Sequence, residues 1–261
     1  MDDDEREMYR DAGAVSKRAL DAGCRAIEVG VTYLEVAEAV EGVIFDADMQ
    51  LAFPAIVAVN DVAAHYSPDS ACKKEIGWGD VVSVDCGADN CGFMGDNART
   101  IEVGTVKWSG LIDGSRKAID MCIERAMPGV NVSDLSNDMM KVIASHGYQP
   151  VPSLMGHQMT RHNLHADNGL PNFMIPPSPL PEKDMVIACE IFASSGSGVI
   201  RAIGSSGIYM KGGRNISPRH ESVVGCTVHP ILKELISGSM VSHHEETVLI
   251  TDDGCEVLTS L

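Results

Sequence analysis

Positive charge is scarce in this sequence: 20 Lys and Arg stand against 37 Asp and Glu, a formal net charge of -17 over 261 residues. Nucleic-acid binding relies on clustered Lys and Arg that neutralise phosphates, so a nucleic-acid partner is excluded. No apolar run approaches the ~18–20 residues of a membrane-spanning helix, which excludes a membrane partner of that kind. The opening stretch MDDDEREMYR is acidic where a secretory leader is basic and then apolar, so the expected location is the cytoplasm. Eight cysteines are scattered without a CxxC pair. That pattern fits buried reduced thiols rather than a disulfide framework or a thiolate zinc site. The remainder is ordinary for a folded chain, with 44% hydrophobic and 22% charged residues, enough to fill a core. The acidic surface keeps such a protein soluble and mildly attracts cations or positively charged peptide N-termini.

Residues 4–28 have Ala, Leu and Ile recurring on one side and charged residues on the other, the period of an amphipathic helix. Thr32 and Glu35 form a T-x-x-E capping box ahead of Val36, Val40 and Ile44, so a second helix starts near Tyr33. FPAIVAVNDVAAHYSP is β-branched and apolar, with a turn at Asn60–Asp61. GWGDVVSVDCGADNCGFMGDNARTIEVG is two strands around a polar turn.

The pattern then recurs. ALDAGCRAIEVGVTYLEV is echoed by AIDMCIERAMPGVNVSDL, with Ala19, Asp21 and Gly30–Val31 answered by Ala118, Asp120 and Gly129–Val130. DVVSVD, ending in Asp85, matches DMVIACE, ending in Glu190, and DNARTI from Asp96 resembles EETVLI from Glu245. The order helix, helix, acid-ended strand, acid-started strand occurs twice. It predicts one domain of two similar halves with a site between them.

The candidate ligands are Asp85, Asp96, His157, Glu190 and Glu245. Four carboxylates cannot gather uncompensated, because like charges a few ångströms apart raise one another's pKa. One or two divalent cations resolve the conflict, and oxygen-rich coordination with one nitrogen suits Mn, Fe, Co or Zn. If the hairpin turns at Asn90–Cys91, Asp85 lies directly opposite Asp96 on one face. Asp89 falls in the turn, where Asp is ordinary. In GHQMTRHNLHAD, His157 and His165 share a parity, so an extended segment puts them on one face and turns His162 away. His162, His220, His229, His243 and His244 are read as surface or hydrogen-bonded residues. His65 follows an apolar strand and precedes a turn, a place where binding residues occur.

The strings AAHYSP, VDCG…GDNART, GHQMTRHNLHA, CEIF and EETVLI, in that order, resemble the methionine aminopeptidases of type 2 from about residue 8 onward. The resemblance implies an α/β pita-bread fold, with two pseudo-symmetric halves around a central antiparallel sheet. It implies two divalent metal ions (Co, Mn, Fe or Zn): Asp85 on one, His157 and Glu190 on the other, and Asp96 and Glu245 bridging both. A metal-bridged hydroxide would hydrolyse the bond after an N-terminal methionine, with Glu190 shuttling the proton. His165 would donate to the developing oxyanion, and His65 would contact the peptide beyond the scissile bond. Phe53 and Leu164 would line the methionine pocket.

The expected substrates are peptides beginning with Met, including nascent chains at the ribosome, and the expected state is a monomer. Residues 1–261 would be a single catalytic domain of compact, archaeal-like form. Two departures stand out. The segment between Tyr209 and Glu245 is shorter than the type-2 insertion, around 209–240, and His243–His244 stand where the family commonly has Gln and an aromatic residue. A proline dipeptidase or other aminopeptidase of the same fold is the second reading, and a catalytically inactive binding module the third.

Overall fold

The architecture comes from a computed structural model that describes residues 1–166, 169–171 and 182–260. It opens with two helices, α1 (Asp3–Ala26) and α2 (Tyr33–Asp46). Both begin in reciprocal capping boxes, Asp2 with Glu5 and Thr32 with Glu35, which satisfy backbone N–H groups that a first turn leaves unpaired. The Thr32 box places the second helix where the sequence predicts it. A Thr32→Ala variant is expected to lose about 1 kcal/mol of stability, read as a lower urea midpoint with an unchanged slope.

Strands β1 (Gln50–Val59), β2 (Val62–Ala64), β3 (Val81–Asn90) and β4 (Phe93–Glu102) complete the first half. The second half repeats the scheme with α3 (Ser109–Arg125) and α4 (Val132–Ser145). The turn between helices is built alike in both halves: Gly30 and Gly129, at the repeat's equivalent positions, have φ of 87° and 91°, a region that favours glycine. Short strands β5 (Gln149–Pro150), β6 (Gly156–Met159) and β7 (Gly169–Leu170) lead to β8 (Val186–Ser194). Outside the main sheet run β9 (Ile200–Ile203), β10 (Tyr209–Lys211), β11 (Arg214–Ile216), β12 (Thr227–Val228) and β13 (Ile231–Glu234). Then come β14 (Val241–Ile250) and β15 (Cys255–Val257).

The central sheet has the order β1-β3-β4-β14-β8-β6-β7, with every neighbouring pair antiparallel. The halves therefore join where β4 meets β14. Alternation sorts each strand's residues between two faces. Val82, Val84, Cys86 and Ala88 of β3 pack under α1 and α2, while Cys189, Ile191 and Ala193 of β8 pack under α3 and α4. Ser83, Asp85 and Gly87, and Ala188, Glu190 and Phe192, are left facing away from the helices.

Helix α1 also reaches the far end of the chain. Arg10 makes a two-pronged pair with Glu256, at 2.7 and 2.9 Å, and Arg6 bonds Asp184 at 2.7 Å. Gly13 packs so closely on Leu258 that a Cβ there would lie 2.3 Å from the Leu258 carbonyl oxygen.

Two expectations need correction. The hairpin turns at Cys91–Gly92, not at Asn90–Cys91, so Asp85 pairs with Ala98 and Asp96 with Gly87. Cys91 and Gly92 have φ of 56° and 95°, as a tight two-residue hairpin turn needs. The shift is two residues, so both carboxylates stay on one face, as diagonal rather than direct neighbours. His157 and His165 do meet, but not through strand parity. The chain doubles back after β6 through paired Thr160–Asn163 bonds at 2.9 and 3.0 Å, with His162 at φ 62°.

Candidate active site

Register places the acids in rows across the sheet. One row runs Ile56, Asp85, Ala98, Glu245, Glu190 across β1, β3, β4, β14 and β8. Two residues to one side, Asp96 exchanges bonds of 2.8 and 2.7 Å with Thr247, and Thr247 pairs with Ala188, itself opposite His157. Two residues to the other side stands His243, opposite Phe192. Because alternate residues share a face, all six side chains point the same way.

They converge. His157 Nε2 lies 3.7 Å from Asp96 Oδ2 and 3.9 Å from Glu245 Oε1, and His243 Nε2 lies 3.2 Å from Glu190 Oε2 and 3.4 Å from Glu245 Oε2. Two sets able to hold a cation result: Asp96, His157 and Glu245, and Asp85, His243 and Glu245, each with donor atoms within 4.8 Å of one another. Glu245 belongs to both.

Asp85 Oδ1, Asp96 Oδ1 and Glu245 Oε1 are buried without hydrogen-bond partners. Burial pushes the Asp85 carboxyl up to about 7 and raises Asp96 and Glu245 well above the carboxylate range, with the neighbouring carboxylates adding to the rise. Burial lowers the His157 pKa, so its imidazole is neutral. Dry, unpartnered carboxylates beside imidazole nitrogens fit divalent cations, which replace the missing partners. Ionised ligands are required, so metal binding displaces protons. Below pH 7 these raised carboxyls hold protons that a cation must expel; above it, Asp85 is already ionised. Protons released per chain on Mn²⁺ binding are expected to fall between pH 6 and pH 8. Calorimetry in buffers of different ionisation enthalpy measures this, and a flat count would contradict it.

The cluster floors a cavity of about 320 Å³. All nine residues singled out in the sequence line it: Phe53, His65, Asp85, Asp96, His157, Leu164, His165, Glu190 and Glu245. Phe53, Ile56 and Ile208 form a buried apolar patch with Leu164 against it. The His165 ring is 4.3 Å from that of His157. Its outer surface is exposed, yet desolvation within the recess and the neighbouring His157 lower its pKa, leaving it neutral at pH 7. His65 has φ 70° and a buried, unpartnered Nδ1. Such strain concentrates where a side chain must be aimed.

Sequence reasoning missed two residues. His229 is hydrogen-bonded as read, its Nε2 3.1 Å from Asn215 Oδ1, but it also lines the cavity with its ring 5.9 Å from that of His65, a place that no local pattern marks. His243 lies in the cluster, and its period-two relation to Glu245 was a usable signal. The other readings stand: His162 is exposed, His220 Nε2 lies 2.8 Å from Glu41 Oε2, and His244 Nδ1 lies 2.9 Å from Ser115 Oγ on the helical side of the sheet.

Two like halves meeting along a carboxylate-rich seam define the pita-bread α/β class. The chain belongs to metallopeptidase family M24, whose sequence profile matches residues 7–252. It is 29% identical over 293 aligned positions to a methionine aminopeptidase of Archaeoglobus fulgidus, covering 99% of this chain and 100% of that one. With that of Pyrococcus horikoshii it shares 33% over 202 positions, covering 77% and 68%. The crystal structure of methionine aminopeptidase from Thermotoga maritima superposes with a TM-score of 0.83 at 26% identity, covering 100% and 98%. A prolidase from Pyrococcus furiosus shares the fold at a TM-score of 0.72 and 22% identity, but this chain covers only 65% of it. No described helix is long and apolar enough to cross a membrane.

Proposed function

We propose that this protein removes N-terminal methionine from peptides by metal-dependent hydrolysis. The observation that carries the reading is one cavity with a cation-ready acidic floor and an apolar wall, in a chain aligned almost end to end with methionine aminopeptidases. Asp85, Asp96, His157, Glu190 and Glu245 would hold two divalent cations, drawn from Mn, Fe, Co and Zn. When bound, such ions supply Lewis acidity and acidify water.

The chain's own groups do the rest. Phe53 and Leu164, with Ile56 and Ile208, take up an unbranched thioether side chain and exclude water around it. His165, neutral, offers its N–H to the substrate carbonyl oxygen, where a fixed donor is most effective as charge develops. Glu190, half-buried at the cavity edge, moves the proton toward the leaving amine. His65 contacts the peptide past the scissile bond.

We read residues 1–261 as a single catalytic domain acting as a monomer in the cytoplasm on peptides and nascent chains. We also read the segment around 209–240 as a shortened insertion. There a buried Glu41 on α2, bonded to Arg219 and His220, anchors the outer wall.

With Mn, Co, Fe or Zn supplied, Met-Ala-Ser should release free methionine while Ala-Pro stays intact. No methionine with any of the four sinks the proposal, and cleavage of Ala-Pro alone favours a proline dipeptidase.

A further inference from the structure

We propose that His243 is itself a metal ligand, so that each of the two cation positions carries one imidazole. The inference rests on the metal-dependent reading above and extends its ligand set, since the family resemblance implies a single nitrogen donor and a glutamine at this position.

Four observations carry it. His243 is 2% exposed, and its Nε2 has no hydrogen-bond partner. That nitrogen lies 3.2 Å from Glu190 Oε2 and 3.4 Å from Glu245 Oε2, yet neither contact has hydrogen-bond geometry. A buried polar atom left this way is costly unless something else satisfies it. The ring is held in place: it stacks on Phe192 with centroids 3.8 Å apart and planes at 15°, and the His243 backbone exchanges two 2.8 Å bonds with Thr100 Oγ1. A pre-set ring is what a ligand needs and what a solvent-facing histidine lacks.

The spacing agrees. Metal–ligand bonds of about 2.0–2.2 Å put two donors on one ion within roughly 4.4 Å of each other. The 3.4 Å between His243 and Glu245 falls inside that limit, and Asp85 completes a set whose donor atoms lie within 4.8 Å, a few tenths of an ångström wider than a bound ion would draw them. The arrangement is also symmetric. His157 and His243 stand one row either side of the Glu190–Glu245 row. Each completes a set containing one Asp and the shared Glu245. Imidazole suits Zn and Fe, whereas all-oxygen sites suit Mn and Mg. An added nitrogen therefore shifts the Asp85 position away from Mn and toward Zn.

The direct test loads the protein with ¹¹³Cd and labels the histidine rings with ¹⁵N. Two bound Cd ions should each couple to a ring nitrogen, one in His157 and one in His243. Two bound ions with coupling to His157 alone overturns the inference while leaving the metal centre standing; failure to bind Cd, Mn or Zn at all removes the centre itself. This measurement uses the unaltered protein, so it does not depend on a variant folding. As a second arm, His243→Gln should lower the preference for Zn over Mn at one of two sites by at least about tenfold, the scale on which changes near a metal alter affinity. An unchanged ratio overturns the proposal.

Discussion

A Glu245→Gln variant is expected to lose high-affinity binding of both cations together and to fall at least roughly 10³-fold in kcat/KM. The size follows from the several kcal/mol that metal ions contribute to such reactions, at about 1.4 kcal/mol per factor of ten. The joint loss follows from geometry, because Glu245 is the one residue in both donor sets. Glutamine keeps the shape of the side chain and removes the charge, so the fold is retained. Removing one buried carboxylate from a mutually repelling group even relieves the metal-free state. Metal content per chain, measured beside circular dichroism, checks the result. If one full equivalent still binds tightly, Glu245 is not shared. Asp96→Ala should weaken the set that Asp96 forms with His157 and Glu245, and it also leaves a cavity behind.

The second large effect separates chemistry from metal binding. His165→Ala is expected to lower kcat by about 10²–10³-fold, the loss seen when a single oxyanion donor is removed. Metal content should stay at the unaltered level, since His165 belongs to neither donor set. Its exposed ring carries little of the fold's stability, so thermal unfolding should barely move. A variant that instead lost its metals, or that raised KM with kcat unchanged, would refute the assigned role.

Much of this was legible in the sequence because it was written twice. The helix–helix–strand–strand repeat gave the two halves, and the Thr32–Glu35 box gave the start of α2. Acid-bounded strands gave the row of carboxylates. The hairpin register was harder. Turn placement depends on which two residues accept positive φ, and Cys91 is a poor advertisement for that; only Gly92 beside it marks the turn. A slip of one residue would have sent Asp85 and Asp96 to opposite faces, whereas the actual slip of two kept them together. A lone histidine is usually a surface or hydrogen-bonded residue, and only the structure reveals that the His243 Nε2 is unpartnered. His229 reaches the cavity from a distant loop, and no periodicity connects it to His65.

The seam between α1 and the last strand bears on how the chain is made. Arg10 and Glu256 are 246 residues apart. At a synthesis rate of about 5–20 residues per second, roughly 10–50 s pass between the appearance of one and the other. The first half can bury its own helices against β3 during that interval. It cannot cover β4, whose outer edge waits for β14 to emerge. An unpaired central edge of that kind is a template for wrong partners, so a newly made chain is most vulnerable to aggregation just before its C-terminal strands arrive. Pairing of β14, then docking of Glu256 and Leu258 on α1, ends that exposure and completes the carboxylate row in the same event.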